Sequence, residues 1–312
     1  MKVAWLGTED TIRHNRQFDS LRHYMRDAYG VTLIGPGYTY DYRVKTKLST
    51  VLPHDPDVFV WDDRGCSPLL VQIDRQPECP CVYIEQDYHQ RARWSIPKKL
   101  PAKYVFGSAP RPLPPDGVNA WTHQVGKMHP EFDPWIGHET FRMMPYCIDT
   151  KVFHNGNGHR EYDGGMFGTI TAWYTARKEV KQLLKNLDRC WVGAKKHSKQ
   201  ALYWDVLADR LRQTKVLWVD GSNRGMFFLK FHEGISCGCL LIGKRPYGWD
   251  DLYPHEFMVD CEPEDAVDAI DEWSAKDEER EELTHAASDY CQRHHDIRVR
   301  GDAMWEVIHG AS

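Results

Sequence analysis

The sequence predicts an α/β protein of two Rossmann-like, doubly wound domains in tandem with a cleft between them, and three observations predict it. The chain has 312 residues, a comfortable length for two domains of about 150 residues each. Short β-rich runs alternate with helical patterns through both halves, the signature of a parallel sheet covered by helices. Near the middle, Asn155-Gly-Asn-Gly-His is a polar, flexible connection. The expected division is 1–150, 151–290, and a terminal helix over 291–312 that crosses back to the first domain.

In chain order, KVAWLG reads as the first strand and FDSLRHYMRDAYG as a helix closed by Gly30. VTLIG, DVFVWDD, CPCVYIEQD and KYVFGSA are the next four strands, each ending near Gly, Asp or Glu, where a doubly wound sheet collects ligands. Residues 107–160 show no period and read as loops and a crossover. The alternation resumes with GGMFGTI (strand), TARKEVKQLLKNL (helix), RCWVGA (strand), LYWDVLADRLRQ (helix), KVLWVDG (strand) and CLLIGK (strand). PEDAVDAIDEWSA and DEEREELTHAASDYCQRHH then read as helices, the acidic first turn of the former suiting a helix N-terminus.

Composition excludes several classes of function. A hydrophobic content of 41% with 12 Trp, 15 Tyr and 11 Phe supplies real cores, and 27% charge is ordinary for a folded protein. A net charge of -5 argues against indiscriminate coating of nucleic acid. Residues 1–150 hold 18 Lys and Arg against 18 Asp and Glu, so the negative excess lies in the second half, much of it in DEEREE at 277–282, read as a solvated helix face. The short apolar start and the lack of any 18-residue apolar run predict a cytoplasmic protein without membrane insertion. Nine irregularly spaced cysteines predict reduced thiols. Cys79-Pro-Cys81 and Cys237-Gly-Cys239 are spaced too closely for a zinc knuckle, and His285, Cys291, His294 and His295 read as an ordinary charged helix rather than a metal cluster. No metal site is expected.

No His-Glu pair has the second histidine of a zinc-protease helix, and neither a P-loop nor a GxGxxG turn is present. The stretch KFHEGISCGCLLIG, 230–243, is different. Gly234, Ser236 and Gly238 suggest a helix entrance whose backbone can approach an anion, and a diphosphate suits that place. Glu233 offers two acceptor oxygens for the paired hydroxyls of a ribose. Arg224 and Lys230 can counter charge developing on a leaving phosphate, so the set describes a nucleotide-sugar site. Helix capping by Glu233, and surface roles for Arg224 and Lys230, are the plainer alternatives.

From Tyr162 onward the chain resembles the C-terminal domain of group 1 glycosyltransferases of the GT-B fold, in particular their CgeB-like branch. YDGGMFGTITAWYTARKEV, YWDVLADRLRQTKVLWVDGSNRG and FHEGISCGCLLIG carry the resemblance. It implies a donor, a UDP-sugar first among candidates, bound mainly by the second domain, an acceptor bound mainly by the first, and no required metal or other cofactor. Carried onto this chain, Glu233 holds the ribose, Gly234 and Ser236 the phosphate end, Gly168 and Thr169 the nucleotide side, and Arg224 and Lys230 the departing diphosphate. Gly7 at the first strand end and Arg177 join the donor site, with a pairing of Arg177 to Glu179 or Asp163 as the alternative. Gly225 stands where related retaining enzymes often carry a second glutamate, which leaves the stereochemical outcome open.

On the acceptor side, YIEQDYHQ clusters ionisable groups directly after an apolar strand, where their pKa values can be tuned. Asp87 is the expected base or hydroxyl binder and His89 the second choice, with Glu85 beside them. Arg91, Arg93, Trp94, Lys98 and Lys99 follow without an intervening acid, a segment suited to tracking a phosphate backbone and stacking a base. The expected reaction is transfer of a sugar to a hydroxymethylated base in DNA, as in a phage-type enzyme. A glycan, protein or small-molecule acceptor, a nucleotide-sugar epimerase, and a non-catalytic binding protein of the same fold are the alternatives.

Overall fold

The structure is a computed structural model describing residues 1–7, 16–35, 37–39, 46–62, 71–85, 102–107, 141–143, 146–156, 158–168, 170, 174–193, 204–221, 225 and 227–310. It divides into two compact units, residues 1–145 with 297–312, and residues 146–296.

The first unit begins with β1 (Val3–Leu6), α1 (Arg16–Tyr29), β2 (Thr32–Ile34), β3 (Thr46–Lys47), α2 (Leu48–Val51), β4 (Val58–Asp62), β5 (Val71–Gln72), β6 (Cys81–Glu85), β7 (Ala102–Gly107) and β8 (Phe141–Met143). Six of these strands form one sheet in the order β2-β1-β4-β6-β7-β8, with every pairing parallel. The runs VAWL and VFVWD are buried along their whole length, as strands covered on both faces must be. Leu6, Leu48, Phe59, Trp61 and Tyr83 meet in the core. Strand β8 lies within the 107–160 stretch read as loops, and β3 pairs with β5 in a separate ribbon. Segments of two or three residues carry no alternation to read.

The second unit follows with β9 (Tyr162–Met166), α3 (Thr175–Leu184), β10 (Cys190–Val192), α4 (Trp204–Arg212), β11 (Thr214–Val219), α5 (Leu229–Ser236), β12 (Leu240–Gly243), β13 (Met258–Asp260), α6 (Ala266–Ala275) and α7 (Asp277–His295). Its parallel sheet runs β10-β9-β11-β12-β13. Met166, Val180, Val216, Trp218, Ile242 and Ile270 fill the core on one side of it. Strand β13 is an addition to the sequence reading. The DEEREE stretch is not wholly solvated: Arg280 is buried, pairs with Asp277 at 2.6 Å and donates to the carbonyls of Trp273 and Ser274, capping the end of α6.

The last helix, α8 (Ile297–His309), belongs to the first unit. Tyr24 and Tyr29 of α1 each donate to Asp302 Oδ1 at 2.5 Å, and Tyr29 stacks on Trp305 with 4.5 Å between ring centroids. Where the chain enters and leaves the second unit, the Ile148 N–H donates to the His295 carbonyl at 2.8 Å, and Thr150 Oγ1 donates to the Asp296 carboxylate.

In the order of their own strands, both sheets read 2-1-3-4-5, with a sixth strand in the first. The winding direction of such a sheet reverses between strands 1 and 3, and the crevice beyond their carboxyl ends is where open α/β sheets take ligands. Those points are β1/β4 and β9/β11. The described cysteines are free thiols, and burial pushes those of Cys81 and Cys239 up to about 12. No helix among the described residues is long and apolar enough to cross a membrane.

Candidate functional site

At the β9/β11 point, Asp220 directly follows β11 and receives two cations. Arg177 of α3 donates to Asp220 Oδ1 through Nε at 2.9 Å and Nη2 at 2.5 Å, and Lys230 of α5 donates to the same oxygen. All three side chains are buried, Lys230 with 7% exposure. The partner that closes on Arg177 lies 43 residues away, while Asp163, the nearer candidate, pairs with Lys215 at 3.1 Å. Arg177 also covers the ring of Tyr174, 3.9 Å from its centroid. Gly168, just past β9, leaves room for the guanidinium: a Cβ there would lie 2.9 Å from Nη1, and its φ of +129° is open to glycine.

Burial works against a charge on Asp220, but the Lys230 ammonium and Arg177 guanidinium outweigh it and hold the carboxyl below its ordinary value. Burial also brings the Lys230 ammonium down to about 7; Asp220 opposes that shift and Arg177 adds to it. Burial first, and the Arg177 charge after it, favour the neutral lysine, and the carboxylate opposes both.

Helix α5 corrects the expected geometry of the KFHEGIS stretch. The helix begins at Leu229, so its open end lies one turn before Glu233, next to Lys230. The N-cap Phe228 gives no side-chain hydrogen bond, and its carbonyl accepts the Phe231 N–H at 3.1 Å. Gly234 and Ser236, expected at the phosphate, instead lie in the last turn. A Cβ on Gly234 would be 2.7 Å from both Leu217 Cδ2 and Leu241 Cδ2, so the small residue serves close packing of helix on sheet. Ser236 Oγ donates to the Phe153 carbonyl, and the Ser236 carbonyl accepts from Ser288 Oγ at 3.1 Å. Glu233 is 8% exposed, on the turn after Lys230. Gly225 adopts φ +60° and accepts from the Tyr247 N–H at 2.7 Å, a left-handed turn that a glutamate would strain.

The β1/β4 point repeats the arrangement with different partners. A Cβ on Gly7 would meet Arg22 Nη1 at 2.8 Å, and Arg22 of α1 reaches Asp62 at the end of β4 at 3.0 Å. Arg22 Nη2 also donates to Asp19 Oδ1 at 2.9 Å, where Tyr38 Oη donates at 2.8 Å. Asp62 is 1% exposed. The Gly7 N–H is taken by the Ile34 carbonyl at 3.0 Å, so the first strand end offers a ligand no amide there. Burial alone would lower the Arg22 pKa, but Asp62, Tyr38 and Asp19 together raise it.

Asp87, His89, Arg91, Arg93, Trp94, Lys98, Lys99, Thr169 and Arg224 lie outside the described residues. Glu85 ends β6, with its backbone opposite Gly107 of β7. His295 Nε2 meets the Leu252 carbonyl at 3.1 Å, and Cys291 accepts from Tyr253 at 3.3 Å, which places both in the packing of α7. Among the described residues no group of three or more His, Cys, Asp or Glu side chains is placed to hold a metal ion. Asp220 is the residue that sequence reasoning missed; it ends KVLWVDG, and the strand-end rule applied to the first half would have marked it.

Two parallel five- and six-stranded sheets, each with a charged cluster at its switch point, make the fold that of the GT-B glycosyltransferases. Residues 173–306 match the family described as glycosyl transferase-like. Solved structures share the fold at low identity. Anabaena HepE, crystallised with UDP and glucose, is 10% identical and superposes with a TM-score of 0.60 over 99% of this chain and 100% of its own. Sucrose-phosphate synthase from Thermosynechococcus elongatus is 11% identical, with a TM-score of 0.62 over 100% of both chains. A DNA-modifying β-glucosyltransferase is also 11% identical, with a TM-score of 0.56 over 99% of this chain and 100% of that one. No curated protein sequence matches this chain.

Proposed function

We propose that the chain transfers a sugar from a UDP-sugar to an acceptor hydroxyl, with the donor diphosphate seated at the β9/β11 switch point. The observation that carries this is the pair of buried cations, Arg177 and Lys230, at a strand end beside a helix N-terminus. As the bond from the anomeric carbon to the phosphate oxygen breaks, negative charge grows on the departing UDP, and preset cations stabilise it without reorganising. Glu233 takes the ribose hydroxyls, Gly168 and Thr169 border the nucleotide, and Arg224 assists Lys230. The acceptor oxygen forms the new bond to the anomeric carbon, and its proton passes to Asp87, with His89 as second choice. The UDP and glucose bound to HepE support the choice of donor.

A thermal-shift panel of nucleoside diphosphates tests the donor, because a ligand that binds the folded state raises its apparent stability. UDP is expected to give the largest shift. Glu233→Ala is expected to weaken UDP binding and Lys230→Ala to lower turnover; unchanged kinetics in both would remove the site.

For the acceptor, the proposal is a hydroxymethylated base in DNA, with the protein working in the cytoplasm of a phage-infected cell. Support comes from the basic, aromatic run containing Arg91, Arg93, Trp94, Lys98 and Lys99, and from the fold shared with the DNA-modifying β-glucosyltransferase. Retention of duplex DNA at low salt, lost when Arg91, Arg93, Lys98 and Lys99 are neutralised together, is the expected result. A wild-type protein with no DNA affinity at low salt would discard this acceptor.

A further inference from the structure

Three N–H groups from two cations converge on Oδ1 of Asp220, while Oδ2, also buried, has no hydrogen-bond partner among the described residues. Arg177 comes from the helix after β9, Lys230 from the helix after β11, and Asp220 from the end of β11 itself. A long lysine and a long arginine from separate elements have many rotamers, and binding an anion would ordinarily mean ordering both. Here one carboxylate has already drawn them to a single point. Gly168 leaves room for the Arg177 guanidinium, whose Nε and Nη2 are committed to the carboxylate.

Resting on the donor function proposed above, we infer that Asp220 is a positioning residue for the diphosphate, gathering Arg177 and Lys230 into one preset seat. Asp220 does not touch the transferred sugar. It sets where the two cations stand, and it favours the protonated form of Lys230 beside a second cation. The charged groups around Lys230 are Asp220 at the end of β11, Arg177 of α3 and Glu233 of α5. Asp220 and Glu233 favour its charge and Arg177 opposes it, so removing Asp220 leaves Glu233 alone against burial and Arg177.

The test is calorimetric titration of UDP and of uridine into wild-type, Asp220→Asn and Asp220→Glu proteins from about pH 6 to about pH 9, spanning the lysine titration. Asp220→Asn is expected to weaken UDP at least about tenfold, as removal of one partner from a buried charge cluster does, and to leave uridine unchanged. The fall of UDP affinity with rising pH should begin at a lower pH in that variant. If the asparagine variant does not fold, Asp220→Glu, which keeps the charge but displaces it, should weaken UDP and spare uridine. Unchanged or tighter UDP binding would overturn the inference by showing that the carboxylate competes with the diphosphate. Equal losses for UDP and uridine would overturn it by showing a general structural role. A wild-type protein that binds neither ligand would sink the donor proposal itself, and this inference with it.

Discussion

The two switch points use one scaffold with different charged partners. In each, a glycine past the first strand makes room for an arginine from a nearby helix, and that arginine reaches an aspartate at the end of the third strand. In the first unit the arginine meets a second carboxylate, Asp19, leaving two anions around one cation. In the second unit the aspartate meets a second cation, Lys230. The shared arginine–aspartate pair thus gains a carboxylate in one unit and a cation in the other, without altering the sheet. On the proposed function the first cluster is a strut and the second a ligand seat. Position at a switch point tells where a site can be, and the partners gathered there tell what it can hold.

The largest expected effect concerns stability. Arg22→Met strands Asp62 and Asp19 without their guanidinium, and breaking a buried pair in this way costs about 3–5 kcal/mol. Arg177→Met should cost less, roughly 1–2 kcal/mol, because Lys230 still faces Asp220. Urea unfolding of both variants checks the ranking, and equal losses would erase the distinction between strut and seat. Next in size, Lys230→Met should weaken UDP by about 2 kcal/mol, or roughly 30-fold, while leaving the first unit untouched.

The pH dependence should distinguish the clusters more finely. Lys230 in the free protein titrates at about 7, and a bound diphosphate favours its protonated form. UDP binding should therefore take up a proton above about pH 7, with affinity falling by up to tenfold per pH unit until the bound-state value is reached. Calorimetry in buffers of different ionisation enthalpy reads that uptake directly, and proton release would contradict the assignment. The smallest difference separates the glycines. Gly168→Ala combines a strained φ with displacement of Arg177 and should cost about 1–3 kcal/mol, whereas Gly7→Ala only pushes Arg22 and should cost less.

Most of the sheet architecture is legible because buried parallel strands are long apolar runs: VAWL, VFVWD, CVYIE, TKVLWV and LLIG each stand out. Strands β3, β5, β8 and β13 do not, being two or three residues long. The site is legible in its residue types and not in its register. Lys230 and Glu233 can be picked out from their chemistry. The small residues Gly234 and Ser236 look like an anion cradle, however, when they mark a helix pressed onto Leu217 and Leu241. Close packing and ligand access select the same small side chains, so composition cannot separate them. Asp220 is hidden for another reason: its partners lie 43 residues before it and 10 after, and only the parallel pairing of β9 with β11 brings the two elements together.

The clasp between Ile148 and His295 bears on autonomous folding. Since residues 146–296 form one compact body whose two ends are hydrogen-bonded to each other, this unit is a closed insert in the polypeptide of the other. Expressed by itself, residues 146–296 should therefore fold as a unit, which a cooperative urea transition would read out.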